Sequence, residues 1–206
     1  SCGSSDDIVI ETTGMYSTKE FLEKHLKNKE VKKVLFTAPV KKELKNIVYG
    51  VNHDEIDDKD EIIGAASCTT NAIVPVLSAV DNEFEIDNGH VETIHSYTND
   101  QNLIDNYHRK SRRGRAAALN MVITETGAAN AVSQILPNLE GKLSANAIRV
   151  PTPNVSLAIL SLYLKKPSDQ EKFVEFLKQT AFHSLLKDQI DFTQSAEVVS
   201  SDIVGG

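Results

Sequence analysis

The sequence predicts a two-part chain, with a parallel α/β sheet over residues 1–67 followed over residues 68–206 by an antiparallel-sheet α+β domain with helices. Three observations carry this. Short apolar runs alternate with helix-like segments before Cys68, longer alternating runs separated by loops and two helices follow it, and an apolar share of 40% is that of an ordinary folded chain.

The run Asp7-Ile8-Val9-Ile10-Glu11 reads as a buried strand that ends at Thr12-Thr13-Gly14. Ser17 and Glu20 have capping-box spacing, and Phe21, Leu22, His25 and Leu26 recur at helical intervals. Residues 31–38 form a second strand stopped by Pro39, so residues 7–38 make a βαβ-like unit of parallel type. Residues 46–51 and 61–66 are further strand candidates. A helix over residues 71–84 places Ile73, Val74, Leu77 and Val80 on one face, with Pro75 in its first turn.

Beyond it, residues 89–97, 121–123, 144–150 and 155–164 read as strands, and residues 126–136 as a helix. Ser168 with Glu171 opens another helix through Phe173, Phe176 and Leu177. Residues 98–120 form a long irregular loop, a feature that in a compact domain usually serves function. A Rossmann-like fold opens with a strand, a Gly-rich turn and a helix, and no G-x-G-x-x-G is present. The first part therefore reads as the second half of a dinucleotide-binding domain.

A net charge of -7 opposes general affinity for nucleic acid. No apolar stretch reaches the ~20 residues a membrane helix needs, and the chain reads as a soluble, cytoplasmic protein. Two cysteines cannot build a disulfide framework, and no Cys/His cluster has the spacing of a zinc site. Cys68 is left as a reactive thiol at a strand-to-helix junction, where a helix's first N–H groups favour thiolate. His95, at a strand end beside the long loop, is a candidate base for it. The basic run from Arg109 to Arg115 is by default a solvated face, but with Arg149 it offers guanidinium groups suited to phosphate. Thr126-Gly127 opens a helix, a natural phosphate cradle.

Five stretches then resemble one family in order and spacing. They are Ser67-Cys68-Thr69-Thr70-Asn71, His95-Ser96-Tyr97-Thr98-Asn99-Asp100-Gln101, Arg112-Arg113 before Arg115-Ala116-Ala117-Ala118, Thr126-Gly127-Ala128-Ala129, and Arg149-Val150-Pro151-Thr152-Pro153-Asn154-Val155-Ser156. Together they resemble the phosphorylating glyceraldehyde-3-phosphate dehydrogenases. The resemblance implies a catalytic second domain in which Cys68 attacks the aldehyde of glyceraldehyde 3-phosphate and His95 accepts the proton. Hydride passes to NAD, with NADP possible, and inorganic phosphate intercepts the thioester. By the same resemblance Thr98 and Arg149 hold the substrate phosphate and Ser67, Thr126 and Gly127 receive the attacking phosphate, with Arg113 close to both and Thr69 among the substrate- and phosphate-binding residues. Asn99, Thr12, Thr13 and Thr37 are implied as cofactor contacts, and a homotetramer as the assembly.

The chain departs from the family pattern at Ala72, where many members carry a second cysteine, and at Asn106-Tyr107, where NAD-restricted members commonly have Leu-Pro. It reads as an internal segment without the N-terminal Gly-rich turn or the C-terminal helix. Two alternatives stand beside the leading reading: an erythrose-4-phosphate dehydrogenase, which hydrolyses its thioester, and a catalytically silent piece unable to hold dinucleotide.

Overall fold

A computed structural model describes residues 7–41 and 43–205, so Cys2 and the terminal Gly206 lie outside the described residues. Strands β1 (Asp7–Glu11), β2 (Val31–Phe36), β3 (Lys45–Asn46) and β4 (Ile62–Gly64) form one sheet in the order β1-β2-β4-β3, every pair parallel. Their carboxyl ends are in register, because Glu11 pairs with Phe36, Phe36 with Gly64 and Gly64 with Asn46. This common edge carries Thr12, Thr37 and, beyond β4, the approach to Cys68.

The helix expected after β1 is much shorter than its periodicity suggests. Helix α1 (Lys19–Leu22) is capped by the backbone of Thr18 with no side-chain bond, so the Ser17–Glu20 capping box does not form, and a separate 3-10 turn covers His25–Lys27. Leu22 is its one buried residue, and without a longer apolar stripe to bury, a lysine-rich segment has little to stabilise further turns. β1 is also less buried than expected, since Ile8 and Ile10 are exposed while Val9 packs inward against Val34 and Phe36. The expected strand over residues 46–51 reduces to β3. There Asn46 Nδ2 and Oδ1 bind the Val40 backbone, and Asn52 Oδ1 accepts from Val48 N at 2.8 Å, turning the chain away from the sheet. Gly64 is needed where β4 meets that turn, because a Cβ there would stand 2.6 Å from Val40 Cγ2 and 2.9 Å from Asn46 Oδ1.

Helix α2 (Cys68–Phe84) begins three residues before the apolar periodicity does, with Ser67 as N-cap accepting from Thr70 N. Pro75 therefore lies inside the helix and not in its first turn. The fit is tolerated because Ile73, Val74, Leu77 and Val80 are buried around it, each worth roughly 1.5–3 kcal/mol in apolar burial, which together offset the ~3 kcal/mol a mid-helix proline costs.

The second sheet comprises β5 (Ile86–Ser96), β6 (Val122–Thr124), β7 (Leu143–Val150) and β8 (Leu157–Leu164) in the order β6-β7-β5-β8. It is mixed and not wholly antiparallel, because its central pair β5/β7 runs parallel while β8 and β6 run antiparallel to their neighbours. The connection from β5 to β7 passes through the long loop, β6 and α3 (Ala128–Ile135), enough chain to return to the same end of the sheet. Helices α2 and α3 cover the inner face. α4 (Gln170–His183) closes the core through Phe173 and Phe176, whose rings lie 5.3 and 5.0 Å from Phe84. Asp169, one residue beyond the expected Ser168, caps α4 by accepting from Lys172 N at 2.8 Å.

Candidate active site

Cys68 is the first residue of α2, exposed to solvent, and follows a turn in which buried Ala66 holds φ at 56°. That left-handed conformation is costly for alanine and concentrates strain two residues before the thiol. Asn71 Nδ2 pins the turn by donating to Ala65 O at 2.8 Å and Ser67 O at 2.9 Å. The thiol thus has a fixed place beside the free N–H groups of a long helix.

His95 enters from the carboxyl end of β5, with Cys68 Sγ 3.5 Å from its Nε2. Its Nδ1 donates to Ser96 O at 2.7 Å. That bond leaves the Nε2 lone pair facing the thiol, the tautomer a base for Cys68 requires. The hydrogen bond to His95 holds the Cys68 thiol down to about 7 against the opposing effect of burial, with further help from the imidazole charge and from the N–H and hydroxyl of Thr69. The same bond raises His95 above its usual range, while burial and Arg149 oppose it. The thiolate is therefore far more populated at neutral pH than in an unperturbed thiol.

Arg149 pairs with His95 across β5 and β7. Its Nη1 donates to Ser96 O at 3.1 Å and to Thr98 Oγ1 at 3.3 Å, while its buried Nε has no partner among the described residues. Desolvation and the neighbouring Arg113 both lower its proton affinity, yet a guanidinium starts so basic that it stays charged. An unpartnered N–H on a desolvated cation fits an anionic ligand.

Ser67, Cys68, Thr69, His95, Thr126, Gly127 and Arg149 line one cleft of about 450 Å3 between α2, α3 and the inner face of the second sheet. Thr126 and Gly127 face Cys68 from the start of α3, whose Ala128 N donates to Thr126 Oγ1 at 3.2 Å. A thiolate, a matched imidazole, one unsatisfied guanidinium and two helix starts can together support attack on a carbonyl carbon carried by an anion.

Residues 67–206 match the family description "Glyceraldehyde 3-phosphate dehydrogenase, C-terminal domain". The chain belongs to the glyceraldehyde-3-phosphate dehydrogenase family. A glyceraldehyde-3-phosphate dehydrogenase-like protein of Pseudomonas aeruginosa is 59% identical over 203 residues, covering 98% of this chain and 44% of the relative. The glyceraldehyde-3-phosphate dehydrogenase of Clostridium pasteurianum is 41% identical over 201 residues, or 97% of this chain and 58% of the relative. The chloroplastic glyceraldehyde-3-phosphate dehydrogenase A of Zea mays is 47% identical over 179 residues, or 87% and 44%. The chain spans about half the length of the curated relatives it matches.

In this member of the glyceraldehyde-3-phosphate dehydrogenase family, not every residue singled out from the sequence reaches the cleft. Thr98 touches it only through Arg149 Nη1. Arg113 is turned aside, its Nε and Nη2 donating to Thr124 Oγ1 at 3.1 and 2.9 Å and its Nη1 to Asp100. Asn99 is exposed at the start of the long loop, and Thr12, Thr13 and Thr37 stand along the carboxyl edge of the parallel sheet, apart from the cleft lining. The Ser96 carbonyl that sets the imidazole tautomer was missed, since a backbone atom leaves no signal in residue type. The clamp of Thr124 and Asp100 on Arg113 was missed because these partners lie 11 and 13 residues away. No group of three or more potential metal ligands exists among the described residues, and no helix among them is long and apolar enough to cross a membrane.

Proposed function

We propose that this chain is the catalytic portion of a phosphorylating glyceraldehyde-3-phosphate dehydrogenase, with residues 68–206 as its catalytic domain and the preceding residues as half of a dinucleotide-binding domain. The observation that carries the reading is the 3.5 Å approach of Cys68 Sγ to His95 Nε2 in a cleft that also holds Arg149.

In this reading the thiol passes its proton to His95 Nε2, and the thiolate attacks the aldehyde carbon of glyceraldehyde 3-phosphate. The imidazolium returns the proton to the new alkoxide, giving a thiohemiacetal on Cys68. His95 then removes that hydroxyl proton as the carbon gives up its hydride, leaving a thioester. An oxygen of inorganic phosphate attacks the acyl carbon, the carbon–sulfur bond breaks, and 1,3-bisphosphoglycerate departs with the thiolate restored. Arg149 and Thr98 hold the substrate phosphate, and Arg149's unpartnered Nε supports that role. Ser67, Thr69, Thr126 and Gly127 receive the attacking phosphate at the two helix starts, with Arg113 held close by.

A nicotinamide dinucleotide, NAD or alternatively NADP, supplies the hydride acceptor when bound. Thr12, Thr13 and Thr37 fit one side of its site, because they offer exposed neutral hydroxyls at the carboxyl ends of adjacent parallel strands. Asn99 is assigned to the nicotinamide end. The reading extends to a cytoplasmic homotetramer. An apolar row across the outer face of the second sheet, Ile123, Ile148, Ile94 and Leu157 in direct register, supports subunit contacts there.

The test is dinucleotide reduction by the full-length protein with glyceraldehyde 3-phosphate or erythrose 4-phosphate, with and without inorganic phosphate. Turnover that requires phosphate and prefers the three-carbon substrate is expected. Turnover indifferent to phosphate overturns the reading in favour of a hydrolytic enzyme.

A further inference from the structure

Glu11 is a buried carboxylate, 5% exposed, at the last position of β1, and a glutamate is rarely buried without partners. Its Oε1 accepts from both Thr13 N at 2.7 Å and Thr13 Oγ1 at 2.6 Å. Its Oε2 lies 3.3 Å from His25 Nε2. Its backbone oxygen accepts from Thr37 N at 3.1 Å and Thr37 Oγ1 at 3.2 Å. One residue thus ties down two hydroxyl-bearing positions on adjacent strands, and no step of the proposed chemistry uses it.

We infer that Glu11 is a positioning residue for the dinucleotide site, holding Thr13 through its side chain and Thr37 through its main chain so that both present fixed groups to the cofactor. The inference rests on the proposed cofactor reading. The bonds from Thr13 keep the Glu11 carboxyl below its usual range, so the acceptor is fully charged at neutral pH. Both bonds end on a charged acceptor, and such bonds are stronger than neutral ones. Without the carboxylate, the local restraint left to the Thr12-Thr13-Gly14 turn among the described residues is Met15 N donating to Thr13 Oγ1 at 3.2 Å. Gly14, at a φ of 69°, then leaves that turn free to sample other conformations.

Two variants separate positioning from mere support of the fold. Glu11→Met keeps length and burial but removes the acceptor, while Glu11→Gln keeps an acceptor oxygen for Thr13. In the full-length protein, dinucleotide titration is expected to show about fivefold to thirtyfold weaker binding for Glu11→Met, the loss for one or two hydrogen bonds, and most of the affinity restored in Glu11→Gln. Amide exchange at residues 12–14 should accelerate in Glu11→Met without cofactor and return towards wild type in Glu11→Gln, while Cys68 alkylation is unchanged in both. If wild type binds dinucleotide and Glu11→Met binds it equally well, the inference fails and the cofactor reading survives. If wild type binds no dinucleotide, the cofactor reading itself is lost.

Discussion

Arg149 Nη1 lies 2.9 Å from His95 Nδ1, yet the two nitrogens are not partners, because Nδ1 already donates to Ser96 O at 2.7 Å. Both therefore point protons toward the same carbonyl, and the guanidinium acts on the imidazole as a charge. Its effect is to lower the His95 proton affinity, against the Cys68 bond that raises it.

Replacing Arg149 by alanine should therefore separate two roles. The KM for the aldehyde phosphate is expected to rise about tenfold to a hundredfold, the value of hydrogen bonds to a charged group. The imidazole, relieved of a cation, should hold its proton more tightly while the thiolate loses the attraction of that same cation, so the two effects oppose and Cys68 alkylation at neutral pH should change far less than the KM. Steady-state kinetics and alkylation rates on one preparation check both outcomes.

Ser67 caps α2 through Thr70 N at 3.1 Å. Ser67→Ala should cost about 1 kcal/mol of stability in a denaturant titration, the usual loss for a helix cap. It should also raise the KM for inorganic phosphate more than that for the aldehyde, if the hydroxyl receives the attacking anion.

Gly127 precedes α3 at a φ of -90°, and a Cβ built on it meets nothing within 4 Å. Gly127→Ala should leave stability within about 0.5 kcal/mol, as a substitution without clash or positive φ does. Because Gly127 lines the cleft, the KM for phosphate is expected to rise severalfold. An unchanged phosphate KM removes this helix start from the anion site.

Thr124 accepts two N–H groups from Arg113, whose side chain is only 13% exposed. Thr124→Val strands both donors, and the melting temperature should fall by about 2 to 8 °C, consistent with about 1–2 kcal/mol in a chain of this size. Calorimetry measures it.

Much of the framework was legible in the sequence because it is written in local patterns. β1 ends at Glu11 as its apolar run does, and the thiol was placed at a helix start by the change from Ile62-Ile63-Gly64 to a long apolar stripe. What escaped depends on tertiary partners. Helix α1 stops at Leu22, its one buried residue, and Leu26 reaches the same core from a separate 3-10 turn, a break that periodicity alone does not reveal. β3 ends at Asn46 because that side chain binds the Val40 backbone, and the parallel pairing of β5 with β7 follows from how far the chain travels between them. At the site, residue types and spacing pointed to Cys68, His95 and Arg149. Their hydrogen-bond supports are carbonyls and distant loop residues, which no spacing rule reaches.

The account turns on His95 holding Cys68 ionised, and the pH profile of Cys68 alkylation by iodoacetamide tests this most directly. In wild type the rate should rise with a midpoint of about 7. In His95→Asn the midpoint should move up toward the ordinary thiol value of about 8.5. At pH 7 the variant should then react about three to four times more slowly, since its smaller thiolate fraction is partly offset by the greater nucleophilicity of a more basic thiolate. Above about pH 9, where both thiols are ionised, the variant should be the faster. Coincident midpoints in the two proteins would contradict the account.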